Sequence, residues 1–263
     1  NPAGIVMANR SGRQAVRAKV IIDATERGIA ARLAGAKFSE YPSGMHKFSR
    51  IVLEGTKGET AKDLGITYSA KSSKAAYKVY EHTLELSMKD GSWTSFAKAD
   101  QEARNRTWQT GQVASAEMLY QVPPDSLKAK SSQDGAWESA AKINLDTLRP
   151  ADANYIYVLG GCAAVSRDAA EELMKPLQGI ELGKLVGSAA ASEEKSRQQE
   201  ELAKLTVVRP KDSNAIEAEI GEILHGLRSQ PDLGKIKYVK SAEGSLPIIG
   251  KYDTVVVGGG TGG

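Results

Sequence analysis

The chain of 263 residues has one cysteine and three histidines, and both shortages exclude classes of protein. A single cysteine, Cys162, excludes an internal disulfide framework and a zinc site built from several cysteines. Three histidines (His46, His82 and His225) supply few ligands for a histidine-rich metal centre. The longest uncharged run, residues 153–166, is shorter than the ~18–20 residues that span a bilayer. A net charge of +3 is too small to indicate a protein that binds nucleic acid or a membrane surface.

The composition is typical of a soluble globular protein, since 41% of the residues are hydrophobic and 25% are charged. The cellular compartment stays open, because one cysteine is compatible with either redox environment. The sequence does not begin with methionine, and it stops on a β-branched strand and a glycine loop at residues 252–263. We therefore expect an internal piece of a longer polypeptide.

The pattern of apolar residues predicts an α/β protein with a largely antiparallel α+β insert. Continuous apolar runs at 19–23 and 155–159 are typical of parallel strands that are covered on both faces. Alternating runs at 47–53 and 77–86 are typical of half-buried antiparallel strands. We expect five segments: the end of a first α/β domain (1–37), an inserted domain (38–150), a closing strand with helices (151–206), a linker with one helix near 213–227 (207–251), and the start of a further module (252–263).

Shorter segments carry more local predictions. The composition of 95–108 favours a helix, and 117–122 is predicted to be a strand that two prolines end. Residues 56–74 have no clear period. Ser166 is predicted to cap a helix that runs through Met174, and Pro176 to begin or kink the next one.

The sharpest motif is the glycine loop at the end of the sequence. The β-branched strand 254–257 leads directly into residues that satisfy G-x-G-x-x-G, namely Gly258, Gly259, Gly260, Thr261, Gly262 and Gly263. In dinucleotide-binding folds the first glycine allows a tight turn and the second lets the backbone approach a pyrophosphate. The third lets the following helix pack on its strand. The pattern predicts a dinucleotide-binding loop, and the alternative is a flexible glycine tail.

Two other strand ends carry small residues. The run 20–23 leads into Ala24 and Thr25, and the run 155–159 leads into Gly160, Gly161 and Cys162. Because small residues at the carboxyl end of a strand let a ligand lie across it, all five are candidate cofactor-binding residues. The alternatives are an ordinary strand-to-helix turn at the first site and close helix–sheet packing at the second. As a thiol, Cys162 is expected to be a small buried side chain rather than a nucleophile.

The helix predicted after Pro176 carries small residues at every fourth position, and these are Gly179, Gly183, Gly187 and Ala191. This spacing predicts a stripe on which a neighbouring backbone or a flat ligand approaches closely. His46 and His82 lie in predicted strands of the insert and could face a substrate, but we expect each to be an ordinary surface or core residue.

Together these elements resemble the FAD-dependent oxidoreductases of the glutathione-reductase-like superfamily, and among them the bacterial branch with a xanthan-lyase-associated label. The resemblance rests on the strand that ends in Ala24 and Thr25, on the glycine turn with Cys162, and on the small-residue helix through 183–191. It implies a partial FAD/NAD(P)-binding Rossmann-like domain with an inserted substrate domain. It also implies FAD as cofactor and a small-molecule substrate that gives a hydride to the flavin.

Two departures from the family pattern matter. Glu26 stands where the superfamily has glycine, and the glycine loop comes last in the sequence rather than first. The second departure predicts that residues 252–263 begin a second dinucleotide-binding module in a tandem protein. An NAD(P)-binding module and a non-catalytic carbohydrate-binding or scaffold protein are the alternatives for function, and a homo-oligomer stays open.

Overall fold

A computed structural model describes residues 1–9, 12–55, 58, 60–69, 75–198, 204–207 and 246–258. These residues combine helices with two β-sheets, so the broad α/β class predicted from the sequence is confirmed. The strands are β1 (Gly4–Asn9), β2 (Gly12–Asp23), β3 (Gly44–Leu53), β4 (Ala61–Ser69), β5 (Ala76–Met88), β6 (Ala114–Ser115), β7 (Ile156–Val158) and β8 (Ile248–Val257). The α-helices are α1 (Ile29–Leu33), α2 (Trp93–Thr107), α3 (Arg167–Leu173) and α4 (Pro176–Glu194). Two 3-10 helices lie at Ala140–Lys142 and Leu145–Leu148.

The first sheet is built around β2, which pairs with β1, β7 and β8. β1 and β2 form an antiparallel hairpin, whereas β7 and β8 both run parallel to β2. Residues Ile21 to Asp23 pair with β7 and with β8 at once, so these two strands lie on opposite sides of β2. Val20 and Ile22 pack into one core cluster and Ile21 into another. The continuous apolar run is therefore a strand that is covered on both faces, as predicted.

The position of β8 differs from the sequence-based picture of a separate module. The strand begins at Ile248, before the expected start at Tyr252, and it continues the same sheet as β2. In this register Asp23 lies opposite Val257, so the two strands end side by side. The predicted linker helix near 213–227 lies outside the described residues.

The second sheet falls within residues 38–150, where an antiparallel insert was predicted. Its strands have the order β4, β5, β3, β6, and each pairing is antiparallel. Helix α2 packs on one face, and the core between them contains the buried residues Phe48, Leu84, Leu86, Met88, Ala99 and Ala103. The predicted helix at 95–108 is confirmed as α2, two residues longer at its start.

One local prediction in this region is wrong, and one segment for which no element was predicted forms a strand. The predicted strand at 117–122 makes only an isolated bridge between Tyr120 and Ser49, and the segment 56–74 contains β4. β4 is exposed along nearly its whole length, so neither of its faces requires alternating apolar residues. Pro123 and Pro124 have no N–H to donate, which prevents a longer ladder after Tyr120.

The helices after β7 begin where the sequence predicts. The hydroxyl of Ser166 accepts a hydrogen bond from the backbone N–H of Ala169, and Pro176 is the first residue of α4. Only the first member of the expected small-residue stripe on α4 lies in the core, because the residues that the helix buries are Gly179, Leu182, Val186 and Ala190. A spacing of four residues drifts by about 40° per step on a helix of ~3.6 residues per turn. The later members, Gly183, Gly187 and Ala191, therefore rotate away from the core.

Candidate functional site

The ends of β2, β7 and β8 meet at one edge of the first sheet. The backbone N–H of Ala24 donates to the carbonyl of Val257 at 2.6 Å, and that of Leu159 donates to the carbonyl of Asp23 at 2.9 Å. The three strands are parallel, so the residues that follow them share this edge, which we call the carboxyl edge. It includes Ala24, Gly160 and Gly258.

Gly258 begins the glycine loop and lies directly against the residues that follow β2. Its φ is +97°, and a Cβ placed on it would lie 2.5 Å from the carbonyl oxygen of Ala24 and 2.8 Å from the nitrogen of Thr25. A side chain cannot be accommodated there, because the obstructing atoms belong to the backbone. The structure thus brings Gly258, Ala24 and Thr25 together. The remaining loop residues (Gly259, Gly260, Thr261, Gly262 and Gly263) lie outside the described part of the chain.

Asp23, which was not among the predicted site residues, organises the turn after β2. Its buried carboxylate accepts hydrogen bonds from the backbone N–H of Thr25 at 3.0 Å and from the Thr25 hydroxyl at 2.6 Å. The other oxygen accepts from the N–H of Ala31 at 2.8 Å. The Thr25 hydroxyl in turn accepts from the N–H of Ile29 at 2.8 Å. Thr25 therefore holds the turn in place with its side chain. A buried acid at the end of an apolar run is the signal in the sequence that points to this role.

The second predicted turn divides into one open position and two packed ones. Gly160 has a φ of +90°, and a Cβ on it would meet nothing within 4 Å. A Cβ on Gly161 would lie 2.5 Å from Pro123 and 2.6 Å from the sulfur of Met174, so this glycine serves packing. Cys162 is fully buried, and burial raises the pKa of its thiol to about 11. Cys162 thus has the environment of a core residue, and its thiol is neutral at physiological pH.

Arg167 holds the second turn by hydrogen bonding to four backbone carbonyls. Nη1 donates to Pro123 at 2.7 Å and to Gly161 at 2.8 Å, and Nη2 donates to Ala163 and Val165 at 2.7 Å each. Burial lowers the pKa of the guanidinium. These bonds tie the start of α3 to the glycine turn and to the segment that leads out of the insert. The sequence contains no recognisable motif for such a side chain.

A buried ionic cluster connects the carboxyl edge with the second sheet. Asp125 is 2% exposed, and its Oδ2 accepts from Arg27 at 2.6 Å and from Arg32 at 2.8 Å. Arg27 also donates to the carbonyl of Gly91 at 2.7 Å. Its guanidinium lies 4.7 Å from the ring centre of Phe96 in α2. Because Arg27 follows Thr25 by two residues, the cluster fixes the site turn relative to the insert.

The two histidines of the insert have the ordinary environments that were expected. His82 is buried, with its Nδ1 3.0 Å from the Thr60 hydroxyl, and burial together with Arg50 lowers its pKa. One ring nitrogen of His46 lies 2.7 Å from the carbonyl of Pro42. Within the described ranges, no three His, Cys, Asp or Glu side chains are grouped closely enough to hold a metal ion. No helix in those ranges is both long and apolar enough to cross a membrane.

No family model matches the chain, and a search of the curated proteins finds no match.

Proposed function

We propose that the carboxyl edge of the first sheet binds the pyrophosphate of a dinucleotide, and that the chain is part of an FAD-dependent oxidoreductase. The observation that carries the proposal is the contact of Gly258 with the peptide between Ala24 and Thr25. Two segments that resemble separate parts of a flavin site are thereby adjacent, although more than 200 residues separate them in the sequence.

This adjacency favours one site over two modules. In open sheets of parallel strands, ligands bind outside the carboxyl ends of the strands. They bind at the point where the strand order reverses, so that the chain leads to neighbouring strands on both sides of a central strand. β7 and β8 flank β2 in that way. We therefore propose that the sheet is Rossmann-like, and that the glycine loop and the Ala24 turn serve the same dinucleotide.

The residues at the edge fit a phosphate group sterically. Gly258 is exposed and Gly160 faces open space, so backbone can approach a ligand at both positions. Bound FAD would supply the hydride acceptor, and the chain would contribute binding and orientation. Asp23 and Arg167 hold the two turns, while the insert would hold a small organic substrate.

Titration of the purified chain with FAD tests the proposal, with flavin fluorescence as the readout. We expect saturable binding that Gly258→Val weakens at least tenfold, because the new side chain must displace the backbone of Ala24. Gly135→Ala is the matched control, since a Cβ there meets nothing within 4 Å. Unchanged binding by the Gly258 variant would refute the role of this edge. Stronger binding of NADH than of FAD would favour the NAD(P) alternative.

Glu26 gives specific support to the non-catalytic alternative. It is exposed and directly follows Thr25, so its carboxylate adds negative charge beside the proposed phosphate position. If a dinucleotide binds there, Glu26→Gln should tighten binding several-fold, because a like charge is removed. If neither the parent chain nor this variant binds FAD or NADH, the result favours the non-catalytic alternative, a scaffold with a degenerate flavin fold.

A further inference from the structure

β8 leaves one of its edges unpaired within the described part of the chain. It pairs with β2 on one side, and no described strand lies on its other side. Large apolar side chains are exposed along it, including Ile248, Val256 and Tyr252, the last with 55% of its surface accessible. A long strand with an open edge is a template for pairing with another strand.

The sequence of β8 complements itself when it is read in the opposite direction about Tyr252. Lys251 then comes opposite Asp253, and Gly250 comes opposite Thr254. Ile249 and Ile248 come opposite Val255 and Val256, and Val257 comes opposite Pro247. Opposite charges and apolar pairs across an antiparallel ladder both stabilise it. A parallel, in-register pair would instead place Lys251 beside Lys251.

The geometry points to a second copy of this chain as the partner of β8. We propose a two-fold symmetric dimer in which the outer edges of two β8 strands pair antiparallel, with Tyr252 opposite the same residue of the other copy. Asp253 is available for this contact, since its side chain is 76% exposed and its ion pair with Lys19 is long, at 3.9 Å. Such an interface is isologous and closes at two copies, so it covers the open edge without forming a filament. The proposal is independent of the proposed cofactor.

Cysteine cross-linking of the full chain tests both the contact and its register. In Tyr252→Cys the two new thiols would face each other across the ladder, where Cα atoms are ~4.5–5.5 Å apart and a disulfide can form. Val256→Cys is the matched control, because its twin would be eight residues away along the strands, at about 27 Å. The native Cys162 contributes little background, since it is fully buried.

We expect mild oxidation to give a covalent dimer with Tyr252→Cys and none with Val256→Cys. Equal cross-linking of the two variants would overturn the register. A parent chain that remains monomeric in sedimentation equilibrium at about 100 μM, a concentration at which a Kd in the micromolar range gives dimer, would overturn the dimer itself.

Charge exchange provides a second test, and it does not depend on cysteine chemistry. Lys251→Asp and Asp253→Lys should each raise the dimer dissociation constant about tenfold, because each places like charges opposite one another twice per dimer. The double variant exchanges the two charges and should return to within about threefold of the parent chain. Failure of the double variant to recover, while circular dichroism shows it to be folded, would contradict the proposed pairing.

Discussion

Replacement of Arg167 by methionine is expected to destabilise the protein more than the loss of any ordinary surface arginine. The guanidinium makes four hydrogen bonds of 2.7–2.8 Å to backbone carbonyls, and methionine can replace none of them. A hydrogen bond to a charged group contributes a net ~1.5–3 kcal/mol. The four bonds share one partly buried guanidinium, and its desolvation offsets part of this gain. We therefore expect a loss of about 3 kcal/mol in the free energy of unfolding, at the upper end of typical point-mutation effects.

Urea denaturation followed by circular dichroism measures this loss. Arg106→Met is the matched control, since Arg106 is exposed and donates to one carbonyl, that of Glu85, at 3.0 Å. The control should lose less than about 1 kcal/mol. Arg167→Lys should fall between the two, because an ammonium group keeps the charge but cannot reach four acceptors in the plane of a guanidinium. If Arg167→Met loses no more than the control, the four bonds do not stabilise the turn and the reasoning is refuted.

Three further predictions concern buried groups. The free energy of unfolding should decrease as the pH falls below about 6.5, by up to ~1.4 kcal/mol per pH unit, because the pKa of His82 is lowered and only the unfolded chain binds the proton. Urea denaturation of His82→Gln at several pH values should lack this pH-dependent loss. Cys162 should react with a maleimide at least ~100-fold more slowly in the native protein than in guanidinium, and rapid native labelling would contradict its burial. Asp125→Asn should lower the free energy of unfolding by about 3 kcal/mol, because two arginine charges lose their buried partner. In the same denaturation assay, Asp134→Asn should change this free energy little, because Asp134 is exposed.

Local signals in the sequence were sufficient to predict several helices and strands of the α/β structure. The hydroxyl of Ser166 caps α3 and Pro176 begins α4, because both residues act on the backbone within a few positions of themselves. The buried strand at 19–23 was recognisable for a similar reason, since coverage on both faces demands an unbroken apolar run. By contrast, β4 could not be recognised, because a strand that is exposed on both faces leaves no periodic trace.

The arrangement of the candidate site could not be predicted, because it depends on contacts between residues that are far apart in the sequence. Ala24, Thr25 and Gly258 were each predicted from the residues around them, but the sequence placed them in separate modules. Which strand β8 joins depends on pairing across more than 200 residues, and hydrophobic periodicity carries no information about the partner. The four carbonyls that Arg167 binds are likewise brought together only by the folded turn.

The proposed dimer would place its two dinucleotide sites far apart. In an antiparallel pair centred on Tyr252, each Gly258 lies opposite residue 246 of the other copy, twelve residues from its twin. At ~3.4 Å per residue the two glycine turns are about 40 Å apart and at opposite ends of the paired strands. Each site would also be built entirely from one chain, because β2, β7 and β8 of the same copy form it. Dinucleotide binding should therefore be non-cooperative and unaffected by the Lys251→Asp change that weakens the dimer. A Hill coefficient clearly above one, or a parallel loss of binding and dimerisation, would show that the two sites are coupled and would contradict this separation.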